Sequence, residues 1–253
     1  MSKLLLMGGI GDFLQSVPFM MVNREKQYEY YVVTHLNNAQ GFFNAINIKP
    51  KIIKYFSSLK EQIRIAEEIA ALNIAACPRS HYFLNIPFIK KDKIFDNLKP
   101  TVGLQIHGSS FSIKLQQEKK LVAKSIPAKL INSLKSDEYN MLIFGLPDEL
   151  FELNTEQNPQ IKFISHRDPS ESLAYVLQCD AFVGSDSGFK TMSVMSRIPT
   201  MVWLADYIDD IRDELFINPY IDDGIMEIFR YKDVIAQFND GLKKTEKFLR
   251  NVL

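Results

Sequence analysis

One stretch limits the possible folds more than any other: Cys179 to Leu204, CDAFVGSDSGFKTMSVMSRIPTMVWL. Ala181 to Val183 form a short apolar run that ends in the polar turn Gly184-Ser185-Asp186-Ser187-Gly188. Phe189, Met192, Val194 and Met195 follow at helical spacing, and Pro199 opens a second apolar run, Thr200 to Leu204. Short apolar runs bounded by Gly and Pro read as buried strands, and the spacing between them as a helix. A helix joining consecutive strands of one sheet makes them parallel. Such sheets take ligands at the carboxyl ends of their strands, where this turn lies. Backbone amides at the start of the helix suit an anion such as phosphate. The same turn also reads as a helix cap, with Ser185 or Asp186 at the N-cap.

The pattern recurs along the chain. Lys3 to Met7 is a strand ending in Gly8-Gly9-Ile10-Gly11-Asp12. The helix after it carries Phe13, Leu14, Val17, Met20 and Met21, with Pro18 inside its early turns. Further strands are expected at 30–34, 52–56 and 74–77, and an amphipathic helix at 58–71. Three prolines and little periodicity make 78–100 a connector. Thr101 to Ile106 is a strand ending in His107-Gly108-Ser109-Ser110, and a helix is expected at 126–134. Strands at 139–144, 161–164 and 225–229, and helices at 147–153, 169–178 and 231–252, complete the reading. Alternating strands and helices predict an α/β fold with two parallel, doubly wound sheets split near residue 100. The domains are then 1–100 and 101–230, followed by a helix at 231–253. A cleft between them could be faced by all three strand-end turns.

Composition excludes several classes. Thirty basic residues balance thirty acidic ones, so a nucleic acid held mainly by phosphate neutralisation is not expected. Cys77 and Cys179 lack metal-ligand spacing and read as buried thiols in a reducing compartment. The amino-terminal apolar run is too short for a signal peptide, and no stretch approaches the ~20 apolar residues of a spanning helix. The chain is therefore expected in the cytoplasm, with contact at a membrane surface left open. His35, His81 and His166 are scattered without ligand spacing, and Trp203 reads as core. The run Asp206, Asp209, Asp210 and Asp213 does not match a calcium loop. Asp12 is the sharpest single candidate. A carboxylate just after a Gly-rich strand end can take a proton from a hydroxyl nucleophile, or simply cap the helix starting near Phe13.

Four segments together resemble glycosyltransferase family nine, the ADP-heptose:lipopolysaccharide heptosyltransferase group. GGIGDFLQSVP is similar to its amino-terminal Gly-Asp motif, and IHGSS with Lys124-Ser125-Ile126-Pro127 to its His-Pro-Gly-Ser and Lys-x-Trp-Pro segments. IFGLPDE is similar to its Gly-x-Pro-x-Glu region, and VGSDSGFKTMSVMSRIPTMVWL to its Asp-Ser/Thr-Gly turn, helix and strand. Two positions depart from the pattern: Thr191 stands where the family has histidine, and Ile126 where it has tryptophan.

The resemblance implies a GT-B fold, two Rossmann-like domains with a shortened first one. It implies inverting, metal-independent transfer of a sugar from a nucleotide-diphosphate donor, ADP-heptose among the candidates, to a glycan or glycolipid hydroxyl. No cofactor is implied. Asp12 would be the general base, with Gly9 and Gly11 in its turn. Lys124 would offset donor diphosphate charge; Asp186, Ser187 and Gly188 would cradle the donor. Glu149, His107 and Ser109 would be further contacts, with Lys190 and Thr191 replacing the histidine. Lys190 reads equally as a solvated charge. A non-catalytic nucleotide-sugar-binding protein, a GT-B epimerase and a DNA-base glycosyltransferase are the other readings, and the oligomeric state stays open.

Overall fold

The computed structural model describes residues 2–26, 28–36, 39–89, 91–105, 126, 128–134, 137–145, 147–150, 158–166, 169–206 and 214–253. They form two compact units, Met1–Ile89 and Lys90–Leu253.

The first unit runs β1 (Ser2–Gly8), α1 (Ile10–Val22), β2 (Tyr28–Thr34), α2 (Ala39–Ala45), β3 (Ile52–Tyr55), α3 (Leu59–Ala70) and β4 (Ala75–Ala76). The sheet order is β3-β2-β1-β4, and every pair is parallel, as crossover helices require. Val33, Phe56, Ile65 and Ile69 form one apolar cluster. Phe13 of α1 packs against Phe42 and Phe43 of α2, with ring centroids 5.7 and 5.3 Å away. Helix α3 has a strong start. Ser58 Oγ accepts from the Glu61 amide at 3.2 Å, and the Glu61 carboxylate accepts from the Ser57 amide at 2.9 Å. Residues 78–89 and 91–100 hold neither helix nor strand, as their prolines suggest.

The second unit runs β5 (Thr101–Gln105), β6 (Asn140–Phe144), α4 (Pro147–Leu150), β7 (Ile161–Ile164), α5 (Pro169–Val176), β8 (Ala181–Ser185), α6 (Gly188–Met195), β9 (Thr200–Ala205), α7 (Asn218–Asp222), β10 (Met226–Tyr231) and α8 (Phe238–Val252). Residues 128–134 are also helical. The sheet order is β10-β9-β8-β5-β6-β7, again all parallel. Strands β5, β6 and β9 are buried on both faces, so their sequences are apolar runs without alternation. Trp203 is core, as expected: it packs on Phe229 and Phe238, and its indole N–H donates to Thr245 Oγ1 at 2.9 Å. Gly241 lets α8 approach that closely, because a Cβ there would lie 2.7 Å from the indole ring.

The last helix begins later than the periodicity from Tyr231 suggests. Strand β10 continues through Tyr231, and a polar turn follows. The Lys232 and Asp233 amides donate to Gln237 Oε1 at 2.8 and 3.1 Å, and Asp233 Oδ1 accepts from the Ile235 and Ala236 amides. Side chains satisfy these donors outside a helix, so helix formation waits until Phe238.

Candidate functional site

The first unit gathers its polar groups at the carboxyl ends of β1, β2 and β4. Gly8 closes β1 at φ +125°, and a Cβ there would fall 2.2 Å from Asp12 Oδ2. Glycine is therefore required twice over, for backbone conformation and for the space the carboxylate fills. Helix α1 starts at Ile10 with Gly9 as its N-cap, so Asp12 is not the N-cap residue. It sits in the first turn and reaches back, its Oδ2 accepting from the Gly9 amide at 2.9 Å. Gly11 lies within that same turn. An acidic group here also complements the positive end of the helix dipole.

Strands β4 and β2 flank β1 and lead to Arg79 and His35. Arg79 follows β4 and donates to Asp12 Oδ1 at 3.1 Å. Its segment is fixed alongside α1 by the Ser80 amide donating to the Gln15 carbonyl at 2.7 Å. His35 follows β2, where Thr34 Oγ1 donates to the Gly8 carbonyl at 2.8 Å. Burial holds the His35 imidazole below its ordinary value of 6.5, and the Asp12 charge partly offsets that shift. Arg79 and His35 were hidden in the sequence by a connector and by isolation. The signal that could have found them is topological: each follows a strand paired with β1.

The second unit has its topological switch point between β5 and β8, where sheets of this order bind ligands. The turn after β8 is built around Lys190. That side chain is 0% exposed, so it is no solvated charge; its ammonium lies 3.0 Å from Asp186 Oδ1 and donates to the Phe216 carbonyl at 3.1 Å. Ser187, not Ser185 or Asp186, caps α6: its Oγ accepts from the Lys190 amide at 3.2 Å. Thr191 is buried, and its hydroxyl donates to the Ser187 carbonyl at 3.2 Å. Lys190 and Thr191 thus hold the turn from within. Asp186 keeps 20% of its side chain exposed. Gly188 opens α6, and a partly buried Phe189 packs against Phe144 with the rings tilted by 38° and their centroids 5.3 Å apart.

Two buried acceptors at this edge have no hydrogen-bond partner among the described residues, Gln105 Oε1 at the end of β5 and Ser185 Oγ at the end of β8. Sequence reading missed Gln105, which does not stand out by residue type, and took Ser185 only as a helix cap. Glu149 belongs to α4, just beyond β6, and its side chain is outside the described set. His107, Ser109 and Lys124 lie outside the described residues, as do Asp209, Asp210 and Asp213. A cavity of about 430 Å³, lined by Pro100, Tyr139, Glu246 and Arg250, opens at the amino ends of β5 and β6 and contains none of these groups. Among the described residues, no group of three or more His, Cys, Asp or Glu could hold a metal ion, and no helix is long and apolar enough to cross a membrane.

Two parallel α/β units, the second with Rossmann strand order, define the GT-B fold, which glycosyltransferases and epimerases share. The chain is similar in structure to the glycosyl transferase family 9 protein of Veillonella parvula, with TM-score 0.50, 12% identity, and 97% of this chain and 89% of that one covered. It is similar to the E. coli heptosyltransferase WaaC with ADP-2-deoxy-2-fluoro heptose, with TM-score 0.53, 10% identity, and coverage of 94% and 98%. It is also similar to the UDP-GlcNAc 2-epimerase of Methanocaldococcus jannaschii, with TM-score 0.50, 12% identity, and coverage of 98% and 92%. No family model and no curated protein matches the sequence.

Proposed function

We propose that the protein is an inverting glycosyltransferase that moves a sugar from a nucleotide-diphosphate donor to the hydroxyl of a glycan or glycolipid. The observation that carries this is the Asp12 seat: a carboxylate fixed at a strand end by a glycine that leaves room for nothing else. Its side chain is 27% exposed, so a hydroxyl can reach it. In the reaction the acceptor oxygen bonds to the anomeric carbon while the bond from that carbon to the diphosphate breaks. The acceptor proton goes to Asp12, and the leaving charge is met by the amino end of α6 and by Lys124. One displacement by one oxygen inverts the anomeric centre. The reading calls for no metal and no cofactor besides the donor, and it places the protein in the cytoplasm, at the inner face of the membrane where the acceptor is a lipid.

The neighbour bound to an ADP-heptose analogue makes ADP-heptose the first donor to try, and lipopolysaccharide-type glycans the first acceptors. The likeness to an epimerase supports a second reading, release of a free sugar without any acceptor. Incubation with ADP- and UDP-linked sugars, with and without a glycan panel, separates the two by mass. Transfer products that depend on acceptor support the proposal. Free epimerised sugar in the absence of acceptor supports the second reading, and unchanged donors throughout contradict both.

A further inference from the structure

Gln105 ends β5 at the switch point and is 3% exposed, yet its side-chain carbonyl has no hydrogen-bond partner among the described residues. A buried acceptor left unmatched is costly, and native proteins rarely keep one without use. The register shows what surrounds it. Leu104 pairs with Ile143 on one side, and Gln105 itself pairs with Gly184 on the other. Phe144 follows Ile143, so Phe144, Gln105 and Gly184 form one row across the carboxyl edge, on one face of the sheet. Phe182 lies one layer below in the same face, 6.0 Å from Phe144 between centroids. Phe189 of α6 sits against Phe144, which places the amino-terminal turn of α6 over this face.

Gly184 keeps the row open. A Cβ there would lie 2.7 Å from the main-chain oxygen of Gln105 and 2.8 Å from the Phe182 ring. The Gln105 backbone stands about one strand spacing, ~4.8 Å, from β8, the strand that feeds the α6 turn, and its side chain lies on the face that turn covers. The helix end attracts an anion, while an amide oxygen repels one and requires an O–H or N–H. A ligand that satisfies both carries a phosphate next to a neutral hydroxyl, which describes a glycosyl phosphate.

We infer that Gln105 is a specificity residue for the donor's sugar: its side-chain carbonyl accepts from a sugar hydroxyl while the amino end of α6 faces the adjoining phosphate. This rests on the nucleotide-sugar reading above. Gln105→Met keeps the length of the side chain and removes only the polar amide.

The test compares calorimetric affinities of wild type and Gln105→Met for ADP, UDP, ADP-glucose and UDP-glucose, with melting temperatures of the ligand-free proteins. The expected result is a loss of about tenfold for a glucose conjugate, the size of one hydrogen bond, with the bare nucleotide unaffected. The ligand-free variant should melt no lower than wild type, because no hydrogen bond of the Gln105 side-chain oxygen among the described residues is removed. Equal losses for nucleotide and conjugate, no loss for either, or a lower melting temperature overturns the role of Gln105 and leaves the donor reading standing. A wild type that binds none of the four probes overturns the donor reading and this inference together.

Discussion

Each unit ends a central strand in a glycine-containing turn that presents an ion-paired aspartate, and the two pairs differ in where the cation lies. Asp12 is held by Arg79, which is 33% exposed, whereas Asp186 is held by Lys190, which is fully enclosed. An exposed pair contributes about 0–1 kcal/mol and exchanges readily with solvent or ligand. A buried cation cannot leave its partner without being stranded in an apolar interior. Similar turns therefore serve different ends. In the first unit the carboxylate stays within reach of solvent, as the proposed reagent must; in the second it braces a turn whose backbone amides are the proposed donor contacts.

That contrast breaks most visibly at Lys190. Replacing it with Met removes the cation from Asp186 and a donor from the Phe216 carbonyl. Loss of one partner of a buried pair costs about 3–5 kcal/mol, and the exposure of Asp186 puts this case near about 3 kcal/mol. Urea denaturation measures the loss directly. Next in size is Gly8→Ala, which combines a strained φ with a Cβ that displaces the Asp12 carboxylate. It should cost about 2 kcal/mol and lower transfer at the same time. Arg79→Ala should change stability by less than about 1 kcal/mol, so a loss comparable to that at Lys190 would erase the distinction.

The smallest effect is a pH dependence around Asp12. Burial lowers the affinity of folded His35 for a proton, so the unfolded chain takes up that proton first as pH falls below 6.5. His35 thus contributes stability above this value and loses it on acidification. Melting temperatures between pH 7 and pH 5 should fall less steeply for His35→Gln than for wild type.

Much of this was readable from the chain. The run Ala181 to Leu204 folds as strand, turn, helix and strand within one or two residues of its apolar pattern, because both its strands are buried and its turn is marked by glycine. The N-cap was misplaced because Ser185, Asp186 and Ser187 are equally good capping residues, and only the start of α6 chooses among them. Lys190 gave no sign of burial, since lysine near a helix start is usually solvated; the Phe216 carbonyl that accepts from it lies far along the chain. Arg79, His35 and Gln105 were illegible for a related reason. Their roles depend on which strands neighbour β1 and β5, and sheet order is a long-range property that local periodicity does not carry.

The most direct test of Asp12 as reagent is the transfer rate of Asp12→Asn, measured at saturating donor and acceptor beside the donor Kd. Asparagine still accepts from the Gly9 amide, so the turn and donor binding should persist while the proton acceptor is lost. The account predicts a kcat lower by roughly 10²–10⁴-fold with an unchanged donor Kd. Undiminished turnover in a folded Asp12→Asn protein would contradict it.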